Sequence, residues 1–227
     1  MKEYHKIQTV FKRDQATKFK TLIEGDYSLP EFEYLKDCSW VFTEKVDGTN
    51  IRVMLEGENI TFGGKTDDAQ IPQFLVNRLN ELFLPVPAKQ KLREVFPDAK
   101  QVCLYGEGYG AKIQKGGGNY MADRQDFCLF DIWIDGWWLQ REDVEDVADK
   151  LAFGFKVAPI IGTGTLDTMV QMAREGFDSL WGPFTAEGIV ARPKVELRTR
   201  RGNRIITKIK HKDFLKEART VLGDKTE

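Results

Sequence analysis

The chain has 227 residues, 41% of them apolar and 11% aromatic, which is enough to build a packed core and argues against a disordered chain. With a net charge of −1 it has no overall field to gather nucleic acid, so any such affinity has to come from local clustering. Cys38, Cys103 and Cys128 are odd in number, form no CxxC and are joined by only two histidines, which argues against a zinc site or disulfide framework and for a reducing compartment.

The N-terminus, MKEYHKIQTVFKRD, has no apolar signal core, and no run reaches membrane-spanning length, so a soluble, cytoplasmic protein is expected. Residues 1–29 alternate basic and apolar positions (Lys6, Ile7, Val10, Phe11, Lys12, Arg13), as an edge strand with a wet, positive face would. Pro30 opens a short helix, PEFEYLKD. Trp40, Val41 and Phe42 lead into TEKVDGTN, and Ile51, Val53 and Leu55 alternate out of it, which reads as a strand, a tight turn at Asp47-Gly48 and a second strand. Lys45 ends the first strand, where the fold holds its amine beside the turn. An amine so placed attacks phosphorus or carbonyl carbon once it is deprotonated.

Phe62-Gly63-Gly64-Lys65 lets backbone pass close to another group. Helices are expected from Pro72 (Leu75, Leu79, Leu82 and Phe83 on one face) and over about 88–96 (Leu92, Val95, Phe96). A strand from Val102 to Glu107 leads into GYGAKIQKGGGNY, which lacks a GxGxxG fingerprint and reads as a mobile loop with two exposed lysines. FCLFDIWI, 127–134, is a nearly continuous apolar strand turned at Asp135-Gly136 into WWLQ. REDVEDVADKLAF is an acidic amphipathic helix, VAPIIGTG a strand, and TLDTMVQMAREG a helix stopped by Gly176. AEGIVARP and RIITKIKHK read as strands, the first carrying Glu187 and the second Lys208 and Lys210 on one face. DFLKEARTVL would be a closing helix. The sum is an α+β fold, mainly antiparallel sheets with interspersed helices, in one domain over residues 1–227.

Lys45, Glu107, Glu187, Lys208 and Lys210 are far apart in sequence and converge only through tertiary folding. Their motifs resemble those of the covalent nucleotidyltransferases, the superfamily of DNA ligases, RNA ligases and mRNA capping enzymes. KVDGTN matches the first motif, KxDG, with Asn50 as the asparagine typical of RNA ligases. YGE with Glu107 resembles the third motif, FCLFDIW from Phe127 the base-stacking aromatic motif, EGIV from Glu187 the fourth, and KIK at Lys208–Lys210 the fifth. KVDGTN, FDIW and KIKHKDF are most similar to ATP-dependent ligases of the RNA ligase 2 type. Lys65 stands where that branch usually has an arginine, and a lysine cannot form the bidentate fork. Only 17 residues follow Lys210, so the resemblance implies the ATP-grasp-like nucleotidyltransferase domain alone, and no OB-fold is expected after it.

The resemblance implies that Lys45 takes AMP from ATP, with Lys208 and Lys210 on the α-phosphate. It also assigns Glu44, Asn50 and Lys65 to the nucleotide, Glu107 to the ribose, Phe127 to the base, and Glu187 to Mg²⁺ or Mn²⁺. A free lysine, with a pKa of about 10.4, is neutral in only roughly one molecule in 10³ at pH 7, so burial and neighbouring cations are needed to prepare it. RNA is the implied partner, for which the basic segment 192–219 supplies Arg198, Arg200, Arg201, Arg204 and Lys212. A monomer sealing 3′-hydroxyl to 5′-phosphate ends is expected. A minimal DNA ligase and a non-catalytic nucleotide-sensing module that binds nucleic acid remain as competing readings.

Overall fold

A computed structural model describes residues 3–215. The chain starts with β1 (Gln8–Thr9), β2 (Phe11–Arg13), β3 (Leu22–Tyr27), α1 (Pro30–Tyr34) and β4 (Trp40–Glu44). It continues with β5 (Thr49–Glu56), β6 (Asn59–Gly63), α2 (Gln73–Phe83), α3 (Val86–Val95), β7 (Gln101–Gly110), α4 (Gly117–Tyr120), β8 (Gln125–Ile134), β9 (Trp137–Trp138), α5 (Arg141–Leu151) and β10 (Lys156–Val157). Then follow β11 (Ile160–Gly164), α6 (Leu166–Glu175), β12 (Gly188–Pro193) and β13 (Thr207–Lys210). The closing helix expected over 213–222 lies mostly outside the described residues.

These elements form two compact units, a central one of residues 3–5 and 47–158 and a terminal one of residues 6–46 and 159–215. In the central unit β10, β8, β7, β5 and β6 form a sheet in that order, with β9 paired to β8. All of its pairs are antiparallel except β10 with β8. Alternation turns Ile51, Val53, Leu55, Val102 and Leu104 to one face, where they bury against Leu75, Leu79 and Phe83 of α2, Leu92 of α3, and Val144, Val147 and Leu151 of α5. The apolar stripes read along those helices are thus core faces, and the acids of α5 line its wet side.

In the terminal unit the sheet order is β1, β13, β12, β4, β11, with β2 and β3 forming a separate ribbon. Trp40, Phe42, Ile189, Ala191 and Ile209 point from this sheet onto Leu166, Met169, Val170 and Ala173 of α6. The Thr165 side chain caps α6, and Gly176 at φ 78° ends it. The edge strand expected near the N-terminus is the short β1, parallel to β13. Two basic residues that follow it are engaged: Lys12 pairs with Asp26, and Arg13 Nη2 donates to both carboxylate oxygens of the nearly buried Asp213.

Two expected connections differ. β4 and β5 do not form a hairpin across Asp47-Gly48, because β4 belongs to the terminal sheet and β5 to the central one. VAPIIGTG is likewise two strands, β10 and β11, which part at Pro159 into different sheets.

Candidate active site

Strand pairing in the terminal unit collects the cationic cluster. The Lys45 N–H donates to Gly188 O at 2.9 Å, fixing the residue after β4 to the start of β12. β12 pairs on its other edge with β13, setting Gly188 opposite Lys210 and Val190 opposite Lys208. Gly188 has no room for a side chain, since an added Cβ would lie 2.2 Å from Ile209 O. Glu187, just before β12, is shared by two amines: Lys45 Nζ lies 2.5 Å from Oε2, and Lys210 Nζ 2.5 Å from Oε1. Burial pushes the Glu187 carboxyl up, but the charge of Lys45 and the hydrogen bonds from Lys210 and Lys45 outweigh it and leave the group below the ordinary carboxylate value. Lys208 sits two residues from Lys210 on the same face of β13.

Glu44 is turned the other way. Along β4 it shares the α6-side face with Trp40 and Phe42 and is 1% exposed. Its carboxylate accepts the Ser179 hydroxyl at 2.5 Å and the Leu180 N–H at 2.9 Å. That position places it behind the sheet from Lys45, so the structure makes it an anchor for the loop that leads into Glu187. Ser179 left no signal in the sequence.

In the central unit, Asn50 of β5 stands opposite Glu107 of β7. Both lie on the face away from α2 and α5, together with Arg52 and Tyr105. The buried Asn50 Oδ1 has no hydrogen-bond partner among the described residues, so a donor is missing there. Arg52 is fully buried; its Nε donates to Gly64 O at 2.7 Å and Nη2 to Asp67 Oδ1 at 2.8 Å. It thereby fastens the loop on which Lys65 is exposed. Arg52 was detectable by strict alternation with Ile51 and Val53, a polar residue at a position facing away from the core.

Phe127 is not on this face. It is fully buried in the core, edge-on to Phe83 and Phe155, and an added Cβ on Gly106 would lie 2.3 Å from its ring. The expectation that it stacks on a base is corrected by that placement. Phe130, the other ring of the stretch, is only half-buried and packs on Tyr4, whose hydroxyl donates to the buried Asp131. A register shift between β7 and β8 beside Phe130 breaks the alternation there, which is why the apolar run concealed the faces.

Gly48 is needed for space. Its φ is outside the left-handed region, yet a Cβ there would lie 2.3 Å from Gly108 O and 2.7 Å from Glu107 Cγ. The glycine-rich loop after β7 is fastened to this segment: the Asp47 N–H donates to the Tyr120 hydroxyl at 3.1 Å, and Gln114 Nε2 donates to Gly48 O at 3.0 Å.

The basic segment divides. Arg198, Arg200, Arg201 and Lys212 are exposed, whereas Arg204 is buried and forks onto Glu196. The expectation that Arg204 touches RNA is therefore corrected: its guanidinium is already used inside the fold.

A family model described as RNA ligase matches residues 39–210, most of the chain and the stretch from Lys45 to Lys210. Among solved structures, a Naegleria gruberi RNA ligase with PPi superposes with a TM-score of 0.64 at 20% identity, covering 94% of this chain and 58% of that one. A variant of the Naegleria gruberi RNA ligase with ATP and Mn gives 0.63 at 20% identity, covering 84% and 54%. The chain thus spans little more than half the length of these proteins, and at such identity the likeness is one of fold.

Proposed function

Because the chain belongs to the RNA ligase family, we propose that it is an ATP-dependent RNA ligase that joins a 3′-hydroxyl to a 5′-phosphate through a lysyl-AMP intermediate. The observation that carries this reading is the largely buried carboxylate of Glu187 holding the amines of Lys45 and Lys210 on one sheet face with Lys208. In the first step Lys45 Nζ attacks the α-phosphorus of ATP. A P–N bond forms, the P–O bond to pyrophosphate breaks, and the amine sheds its proton. AMP then passes to an RNA 5′-phosphate, and a 3′-hydroxyl displaces it to seal the strand.

The ion pair with Glu187 favours the protonated amine, so attack requires that pair to open. Lys208 and Lys210, cations on the same face, favour the neutral amine once it has opened and offset the charge that grows on the phosphoryl oxygens. In the central unit, Glu107 is the carboxylate for ribose hydroxyls, Asn50 has an acceptor to offer, and Lys65 contributes a phosphate contact. Among the described residues no group of three or more His, Cys, Asp or Glu is placed to hold a metal. One carboxylate, Glu187, fits an ion such as Mg²⁺ or Mn²⁺ that keeps water and phosphate ligands. Such an ion supplies positive charge to the phosphates.

Incubation with α-labelled ATP and Mg²⁺ tests the first step. The chain should become covalently labelled, and Lys45→Ala should remove the label while leaving a folded protein. A wild-type chain that binds ATP without labelling would favour a nucleotide sensor. Nicked duplexes with ribose or deoxyribose at each side of the break test the substrate, and equal sealing of all-deoxyribose nicks would favour a DNA ligase.

A further inference from the structure

The segment between β12 and β13 folds into a hairpin whose turn carries three arginines. Ile205 N–H donates to Leu197 O at 3.0 Å, Thr199 N–H donates to Asn203 O at 2.8 Å, and Arg198 bridges Arg204. Gly202, at φ 81°, makes the reversal, and Thr199 Oγ1 accepts from the N–H groups of Arg201 and Asn203. At the base, the Arg204 side chain is 2% exposed and its guanidinium forks onto Glu196, while Ile205 and Ile206 are buried beside it. One arginine therefore braces the hairpin. Arg198, Arg200 and Arg201 are exposed, and among the described residues their side chains form no ion pair.

Several exposed cations elsewhere are paired, as Lys12 is with Asp26, Arg93 with Glu58 and Lys150 with Asp146; on this hairpin three exposed arginines stand together without such partners among the described residues. Three neighbouring guanidinium groups repel one another, and a braced turn that holds them together suits a partner with closely spaced negative charge. Guanidinium forks match phosphate oxygens two at a time. A chain of the RNA ligase family has such a partner in RNA.

We propose that this hairpin tip is the docking surface for the phosphodiester backbone of RNA, with Arg198, Arg200 and Arg201 on phosphates and Arg204 as the brace. The proposal rests on the RNA ligase reading and adds where the RNA is held. Six residues lie between Arg201 and Lys208, a stretch of seven Cα–Cα steps that spans at most about 25 Å when fully extended.

The test replaces Arg198, Arg200 and Arg201 together by Gln and measures affinity for a nicked RNA duplex across a salt series. Each lost phosphate contact should flatten the log–log salt dependence by about 0.9, so the triple variant should lose about 2 to 3 from the slope and bind more weakly at low salt. Covalent labelling by ATP, which does not use these residues, should be unchanged. A variant with the wild-type slope and affinity would overturn the proposal. So would a variant that keeps RNA affinity but loses binding to phosphatidylcholine–phosphatidylserine vesicles, which would make the tip a membrane contact. Loss of labelling in the wild type as well would instead count against the ligase reading, and the slope comparison would still decide the RNA contact. Glu196→Gln leaves the three tip arginines in place but loosens the brace, and it should weaken RNA binding without flattening the slope by a full contact.

Discussion

Glu187 lies between two ammonium groups, and its carboxyl is held below the ordinary value of about 4.3. A depressed folded-state value means that its contribution to stability is complete above the unfolded value. That contribution is lost as pH falls below about 4.3 and through the lower folded value. Thermal unfolding from pH 7 to pH 3 should show this acid loss. Glu187→Gln should be less stable at pH 7, because two buried-side amines lose their counter-charge, and its curve should be flatter over the acid range. A parallel pair of curves would mean that the carboxylate is not ion-paired. Phe127 makes the opposite kind of residue-level case. Phe127→Ala should cost about 3–5 kcal/mol of stability, as a core cavity does, and any loss of adenylylation should track the unfolded fraction. A folded, stable variant with a raised KM for ATP would restore the ring to the nucleotide.

At the scale of elements, the segment after Lys45 is defined by what lies against it. Gly48→Ala puts a methyl group into the β7 backbone, which has no freedom to yield, so a destabilised chain with slowed covalent labelling is expected. Tyr120→Phe is gentler: it deletes one hydrogen bond to the Asp47 N–H, worth about 1 kcal/mol, and leaves the ring against Tyr109. Labelling by ATP in the two variants should therefore fall in the order Gly48→Ala before Tyr120→Phe; the reverse order would show that the hydroxyl, and not the space, governs the segment. Ser179→Ala likewise leaves Glu44 short of a partner in a buried place and should cost about 1–3 kcal/mol.

At the scale of the whole molecule, the two steps of the proposed reaction should respond differently to salt. RNA held by exposed arginines releases counterions on binding, so its affinity falls steeply as salt rises. Lysine adenylylation depends on a partly buried cluster and is screened less. Raising salt should therefore stop strand joining before it stops lysyl-AMP formation, with adenylylated enzyme accumulating. Equal sensitivity of both steps, measured on one preparation, would mean that the RNA is held some other way. No described helix is long and apolar enough to cross a membrane.

The sequence alone determined the parts that depend on near neighbours. The stripes of α2, α5 and α6, the turn at Asp135-Gly136 and the stop at Gly176 follow from local spacing and backbone freedom, and the order of the motifs was legible because each is short and contiguous. Strand pairing then decided what spacing leaves open. Only the β4–β12–β13 register brings Lys45, Glu187 and Lys210 together. The same non-local pairing sent β4 and β5 to different sheets, turned Glu44 behind Lys45, buried Phe127 beneath Gly106, and drew Arg204 in to Glu196. A side chain's face depends on which strand lies beside it and what covers the sheet, and neither is written in the residues next to it.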